Sequence, residues 1–123
     1  IIIICFLDQK AYNYYVVKAI NYMKINYSTI EHISEIADYL DISVEHLCRL
    51  FKAETNTTCM KYLNEIRIGN AKDLLMNTNL KIYEIAEKVG YQNLSYFSYI
   101  FKKMFGVNPF SFRNTYQSNS DAL

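Results

Sequence analysis

Ile82-Tyr83-Glu84-Ile85-Ala86-Glu87-Lys88-Val89-Gly90-Tyr91-Gln92-Asn93-Leu94-Ser95-Tyr96-Phe97-Ser98-Tyr99-Ile100-Phe101-Lys102-Lys103-Met104-Phe105-Gly106 is the stretch that decides the fold. It predicts a short helix from Ile82 to Val89 and a break at Gly90-Tyr91-Gln92. A second helix restarts after Asn93, turns Phe97, Ile100 and Phe101 inward, and stops at Gly106. The same unit occurs earlier in the chain. Ile33, Glu35, Ile36 and Ala37 recur 49 residues later as Ile82, Glu84, Ile85 and Ala86. The offset then becomes 50: Leu47, Phe51 and Lys52 return as Phe97, Phe101 and Lys102, Asn56 as Gly106, and Tyr62 as Phe112. Two copies of one supersecondary unit, differing by one residue in an internal turn, account for the pattern.

In the first copy Ile33, Ile36, Ala37 and Leu40 follow the i, i+3, i+4, i+7 rule for one buried helix face. Asp41 and Ile42 form a tight break. Ser43 is a good N-cap for a second helix whose Val44, Leu47, Leu50 and Phe51 turn inward, and Asn56 ends it in the left-handed conformation. Between the copies Thr58 caps a long helix to about Met76, with Tyr62, Leu63, Ile66, Leu74 and Leu75 as apolar contacts. Gly69 in its middle costs about 1 kcal/mol and so implies close packing there. Tyr12, Val16, Ile20, Met23 and Tyr27 mark a first helix starting after Asp8. Asn108-Pro109 opens a last short helix through Phe112 and Tyr116, with Pro at its first position. The expected fold class is all-α: seven helices, no strands, two helix-turn-helix units joined by a long linker helix.

The remaining composition narrows the class. The chain has 123 residues, 51% hydrophobic and 20% charged, with three Gly and one Pro, which suits one small globular domain rather than a disordered tail. Its longest apolar run, Ile1 to Leu7, is far short of the roughly 20 residues of a membrane span and has no signal-peptide flanks. Residues 1–7 are expected to be a linker or the end of a preceding element, residues 8–117 the domain with units at about 32–54 and 81–105, and residues 118–123 a tail. A missing N-terminal domain is expected before them. Cys5, Cys48 and Cys59 match neither a disulfide framework nor a zinc pattern, so a cytoplasmic protein is expected. Net charge is only +1, so the distribution of charge must carry any electrostatic argument. Between Glu31 and Glu54 six acids face two bases, a net of −4, whereas between Lys81 and Met104 four Lys face two Glu, a net of +2. The second unit is the expected electrostatic anchor for a polyanion.

A short helix, a tight turn and a capped second helix with a polar outer face form the arrangement whose second helix enters the DNA major groove. One such unit is a weak signal, because helical hairpins are common. Two are stronger: a connecting helix of about 20 residues spans roughly 30 Å, and B-DNA presents the same groove about every 34 Å.

The residues also resemble a known family, the AraC/XylS transcription regulators, over about Val17 to Tyr116. The match runs through Ile36-Ala37, Ser43, Leu47 and Phe51-Lys52, then Tyr62-Leu63, Arg67, Ala71 and Leu74-Leu75. It continues through Ile85-Ala86-Glu87-Lys88-Val89-Gly90-Tyr91, Tyr96-Phe97-Ser98, Phe101-Lys102-Lys103, Gly106, Pro109 and Arg113. The resemblance implies a seven-helix DNA-binding domain whose third and sixth helices read successive major-groove segments, attached to a ligand-sensing or receiver domain. It is most similar to the output domains of two-component response regulators.

Candidate contacts follow. On the first reading helix the outward positions are Glu45, His46, Cys48, Arg49 and Lys52. Arg49 matches a base-contact position of the family, and Arg bonds guanine at two points. A surface ion pair is the plainer alternative. Cys48 also falls at a family contact position, where it would touch a thymine methyl or merely pack. Glu45 could accept from cytosine or repel phosphate, and His46 reads as a helix-surface residue. On the second helix the outward set is Leu94, Ser95, Ser98, Tyr99 and Lys102. The family often has Arg where Tyr99 stands, so a hydroxyl contact to a base edge or phosphate replaces guanine reading there. Lys52, Lys102, Lys103 and Arg113 are assigned to phosphates, which position a protein without specifying sequence. His32 and Lys81 stand where the family often has Ser or Thr, so the first helix of each unit is expected to be poorly capped.

The leading expectation is therefore sequence-specific double-stranded DNA binding by the output domain of a bacterial transcription regulator. The alternative is a helical interaction module, contacting RNA polymerase or a partner domain, with degenerate DNA reading. Twelve Tyr allow a minor reading as a stacking surface for RNA, but most fall at helical core spacing. No nucleophile–base pair or phosphate-binding glycine loop suggests an enzyme, and no cofactor or metal is expected.

Overall fold

The computed structural model describes residues 13–121, with side chains to residue 117. Seven helices and no strand occur among them: α1 (Tyr14–Asn26), α2 (Ile33–Leu40), α3 (Val44–Thr55), α4 (Cys59–Asn77), α5 (Ile82–Val89), α6 (Leu94–Phe105) and α7 (Pro109–Asp121). The chain divides at Leu63 and Asn64 into two compact units, each containing one copy of the repeat. The first unit holds α1 to α3 and the opening turn of α4. The second holds the rest of α4 and α5 to α7.

The breaks fall where the residues allow a left-handed turn. Asp41 (φ 58°) ends α2 and Gly90 (φ 111°) ends α5. In both, the N–H of the next residue, Ile42 or Tyr91, donates back to Ala37 or Ala86, so orphan carbonyls at the helix end are satisfied. Asn56 and Gly106, also left-handed, stop α3 and α6 by donating their own N–H to the carbonyls of Lys52 and Lys102. Ser43 and Asn93 cap the starts of α3 and α6, accepting the His46 and Tyr96 N–H at 3.0 and 2.8 Å. Thr58 accepts the Lys61 N–H at the start of α4, and Asn108 accepts that of Ser111 before Pro109.

Each unit closes on the same ring pair. In the first, Phe51 of α3 meets Tyr62 of α4 edge-on, centroids 5.4 Å apart. In the second, Phe101 of α6 meets Phe112 of α7 edge-on at 5.5 Å. The opening of α4 thus does for the first unit what α7 does for the second. Leu47 and Phe51 below α3, and Phe97 and Phe101 below α6, are fully buried.

Several expectations need correction. The first helix starts at Tyr14 rather than after Asp8, because Asn13 takes an extended conformation and caps it through the Tyr15 N–H. Residues 1–7, Asp8 and Tyr12 lie outside the described residues. Val44 is exposed rather than inward, since the first position of a helix projects beyond the buried stripe. Gly69 is not at a close approach: a Cβ there would meet nothing within 4 Å. The starts of α2 and α5 are not left uncapped either. His32 and Lys81 make no side-chain cap hydrogen bond, yet Glu35 accepts the backbone N–H groups of Glu31 and His32, and Glu84 that of Lys81. The last helix continues to Asp121, through residues assigned to a tail. Nor are the tyrosines mainly core, because Tyr91 is the one buried among those described.

Candidate nucleic-acid interface

Residues four apart on a helix stack into one ridge. On α3 two adjacent ridges are exposed, Val44-Cys48-Lys52 and Glu45-Arg49-Ala53. On α6 the corresponding ridges are Leu94-Ser98-Lys102 and Ser95-Tyr99-Lys103, all exposed except half-buried Ser98. The offset of 50 residues carries each position of one face onto the other. The candidates Glu45, Cys48, Arg49 and Lys52 therefore share one face of α3, and Leu94, Ser95, Ser98, Tyr99, Lys102 and Lys103 share one face of α6. Val44, missed in the sequence reading, completes the first face as the counterpart of Leu94.

Charge differs sharply between the faces. On α3 a carboxylate and a guanidinium, Glu45 and Arg49, occupy one ridge, with Lys52 ending the other. On α6 the first two turns carry only Leu94, two serine hydroxyls and Tyr99, and the cations Lys102 and Lys103 lie in the last turn. Cys48 is a free, exposed thiol. His46 is half-buried, its ring 6.2 Å from Tyr15 of α1, so it helps seat α3 on α1 rather than face outward.

Arg113 is the phosphate candidate that lies elsewhere. Its guanidinium donates to three main-chain carbonyls: Leu75 and Thr78, each at 3.2 Å, and Leu80 at 2.5 Å. These oxygens lie at the end of α4 and in the connection to α5, where no helical N–H reaches them. A planar fork spends three of its five donors there, so Arg113 ties α7 to that connection.

A second support fixes the break between α5 and α6. Tyr91 is buried in that break, and its hydroxyl donates to Asn64 Oδ1 at 2.7 Å. The Arg67 guanidinium lies 5.4 Å from the Tyr91 ring centroid and is itself buried. Burial raises the Tyr91 pKa well above that of a free phenol, against the opposing pull of Arg67. Asn64 and Arg67 are three residues apart on α4, a spacing that puts both on one face, which is the signal that could have found them.

No helix among the described residues is long and apolar enough to cross a membrane, and no group of three metal-ligating side chains occurs among them. A family model described as a helix-turn-helix domain matches residues 36–115. The raffinose operon transcriptional regulatory protein RafR of Pediococcus pentosaceus is 36% identical over 97 residues, covering 79% of this chain and 35% of that protein. The chain spans little more than a third of the length of the curated relatives it matches. Among solved structures, the C-terminal domain of AraT, a response regulator from Geobacillus stearothermophilus, superposes with a TM-score of 0.80 at 36% identity. That match covers 84% of this chain and 86% of that one. The C-terminal domain of the two-component response regulator yesN from Fusobacterium nucleatum gives 0.74 at 34% identity, covering 77% and 93%. Two capped helix-turn-helix units, a family match across both, and relatives of this kind give one conclusion: the chain belongs to the AraC-type helix-turn-helix family, DNA-binding domains of transcription regulators and not enzymes.

Proposed function

We propose that this chain binds double-stranded DNA sequence-specifically, laying α3 and α6 in successive major-groove segments, as the output domain of a bacterial transcription regulator acting in the cytoplasm. The observation that carries the reading is the pair of matching exposed faces, each on a helix capped at its start and held from below by buried rings. Both faces begin with an exposed aliphatic side chain, Val44 or Leu94, near the helix start, where groove contacts are made, and carry a lysine in the last turn, where it would meet phosphate. Glu45, Cys48, Arg49, Leu94, Ser95, Ser98 and Tyr99 are assigned to bases, and Lys52, Lys102 and Lys103 to phosphates. The relatives that are response regulators support a receiver domain as the source of the signal. RNA polymerase is the partner through which the bound domain would act.

Arg49→Ala tests the reading. Loss of a two-point contact to guanine should cost about 1–3 kcal/mol on the selected site and relax preference at one base pair. Titrating the variant against the selected duplex and a scrambled one measures it. An equal loss on both would remove Arg49 from base reading, and no binding of the parent chain to any duplex would leave the interaction-module alternative.

A further inference from the structure

Three kinds of side chain distinguish bases in the major groove by two-point or directed polar contacts: Arg or Lys to guanine, Asn or Gln to adenine, Asp or Glu to cytosine. The first two turns of α6 expose none of them. What they expose is Leu94, Tyr96 and Tyr99, 45%, 46% and 60% accessible, and the hydroxyl of Ser95, with half-buried Ser98 beside it; of the three large side chains, Leu94 and Tyr99 lie on the candidate face. Serine hydroxyls donate or accept and so discriminate little between base pairs. Two amides precede them: Asn93, whose oxygen is held by the Tyr96 N–H, and Gln92, which is exposed in the break before the helix rather than on the face of α6. Lys102 and Lys103 stand in the last turn, away from the end of the helix that meets base edges. The feature of a base pair that an exposed leucine and a tyrosine ring can tell apart is the thymine C5-methyl, which is apolar and projects into the major groove.

We propose that the half-site under α6 is rich in A·T pairs and is read through thymine methyls lying against Leu94 and Tyr99, while the half-site under α3 carries the guanine. The proposal rests on the duplex-DNA reading above and adds to it the chemical character of each half. The α3 face supports the contrast, because Glu45 and Arg49 stand at the positions equivalent to Ser95 and Tyr99. The two copies of the repeat thus share a scaffold and differ in the chemistry of recognition: polar and directional in the first, apolar and shape-based in the second.

The experiment uses the full chain and duplexes carrying about 20 random base pairs, from which bound sequences are selected at one fixed salt concentration. The half belonging to α6 is identified as the one whose preference relaxes when the selection is repeated with Leu94→Ala and with Tyr99→Ala. Both side chains are exposed, and circular dichroism confirms that the variants keep their helices. Deoxyuridine then replaces thymidine in each half of the selected duplex, which deletes methyls and leaves every base-pairing atom in place. The expected result is an A·T-rich α6 half in which each methyl removed weakens wild type by about fourfold. The doubly substituted Leu94→Ala/Tyr99→Ala chain should be indifferent to the same change. A fixed guanine in the α6 half, or undiminished wild-type affinity for the uracil duplex, overturns the proposal while leaving DNA binding intact. Failure to select any sequence overturns the DNA reading itself, and this proposal with it.

Discussion

Two cations of similar appearance in the sequence have opposite work to do. Lys103 ends in solvent on α6, whereas the Arg113 guanidinium is spent on three carbonyls of its own unit. Arg113→Ala should lower stability by about 2 kcal/mol, because charge-assisted hydrogen bonds are lost and their acceptors are stranded. Urea denaturation would register this as a lower midpoint at unchanged slope. Arg113→Lys should recover little of it, since an ammonium cannot span three oxygens in a plane. Lys103→Ala should leave the midpoint alone and reduce the salt dependence of DNA binding by about one phosphate contact. Cys59 and Tyr91 supply a pH dependence. Burial, reinforced by the neighbouring Cys48, pushes the Cys59 thiol up to about 12 from 9.0, and burial raises Tyr91 as well. Both groups are neutral in the folded chain and ionise more readily once it unfolds. Their contribution is therefore complete below pH 9 and declines as pH rises from there toward 12. Urea midpoints measured across that range should fall with pH, and Cys59→Ala should move the onset upward, to where Tyr91 alone sets it.

At the scale of single helices, α4 contains a removable cost. Gly69 occupies a helical position where a methyl group would touch nothing, so Gly69→Ala should stabilise the chain by about 0.5–1 kcal/mol. A thermal melt would show the gain, and a loss instead would mean that something not visible from the Cβ position fills that space. The helix borders around the repeat were legible in the sequence because local chemistry sets them. Gly90 and Gly106 tolerate positive φ, Ser43, Thr58, Asn93 and Asn108 carry short side-chain acceptors, and Pro109 suits a first turn. Features decided by the third dimension were not. An apolar residue in an amphipathic pattern is read as inward, yet Val44 lies one step outside the stripe and joins the candidate reading face. Arg113 finds its partners 33 to 38 residues earlier in the chain, a relation no periodicity encodes. Glu35 and Glu84 stand at the third helical position, where a carboxylate reaches back to the start of the helix whatever residue occupies the cap, so His32 and Lys81 alone do not decide the capping.

At the scale of the whole chain, the proposed site is two unequal half-sites about 10 bp apart, because the two faces differ at nearly every outward position. Inserting about 5 bp between them turns one half-site to the opposite side of the duplex, and affinity should fall to what one unit supplies. Gel-shift titration of spaced and unspaced duplexes measures it, and equal affinities would show that one unit does all the reading. The Arg113 anchor also bears on how the molecule is made. The first unit ends at Leu63, so all of its partners exist once that residue has left the ribosome, and it can close while the remainder is still being translated. The second cannot. Its end of α4 and the start of α5 wait for a guanidinium at position 113, and Phe101 waits for the ring of Phe112. A nascent chain halted at Gly106 would therefore carry one finished unit and a second whose α5 and α6 are held at their break by Tyr91 and Asn64 but lack the α7 contacts of Arg113 and Phe112. Loss of α7 would thus leave the second unit open while the first stays whole.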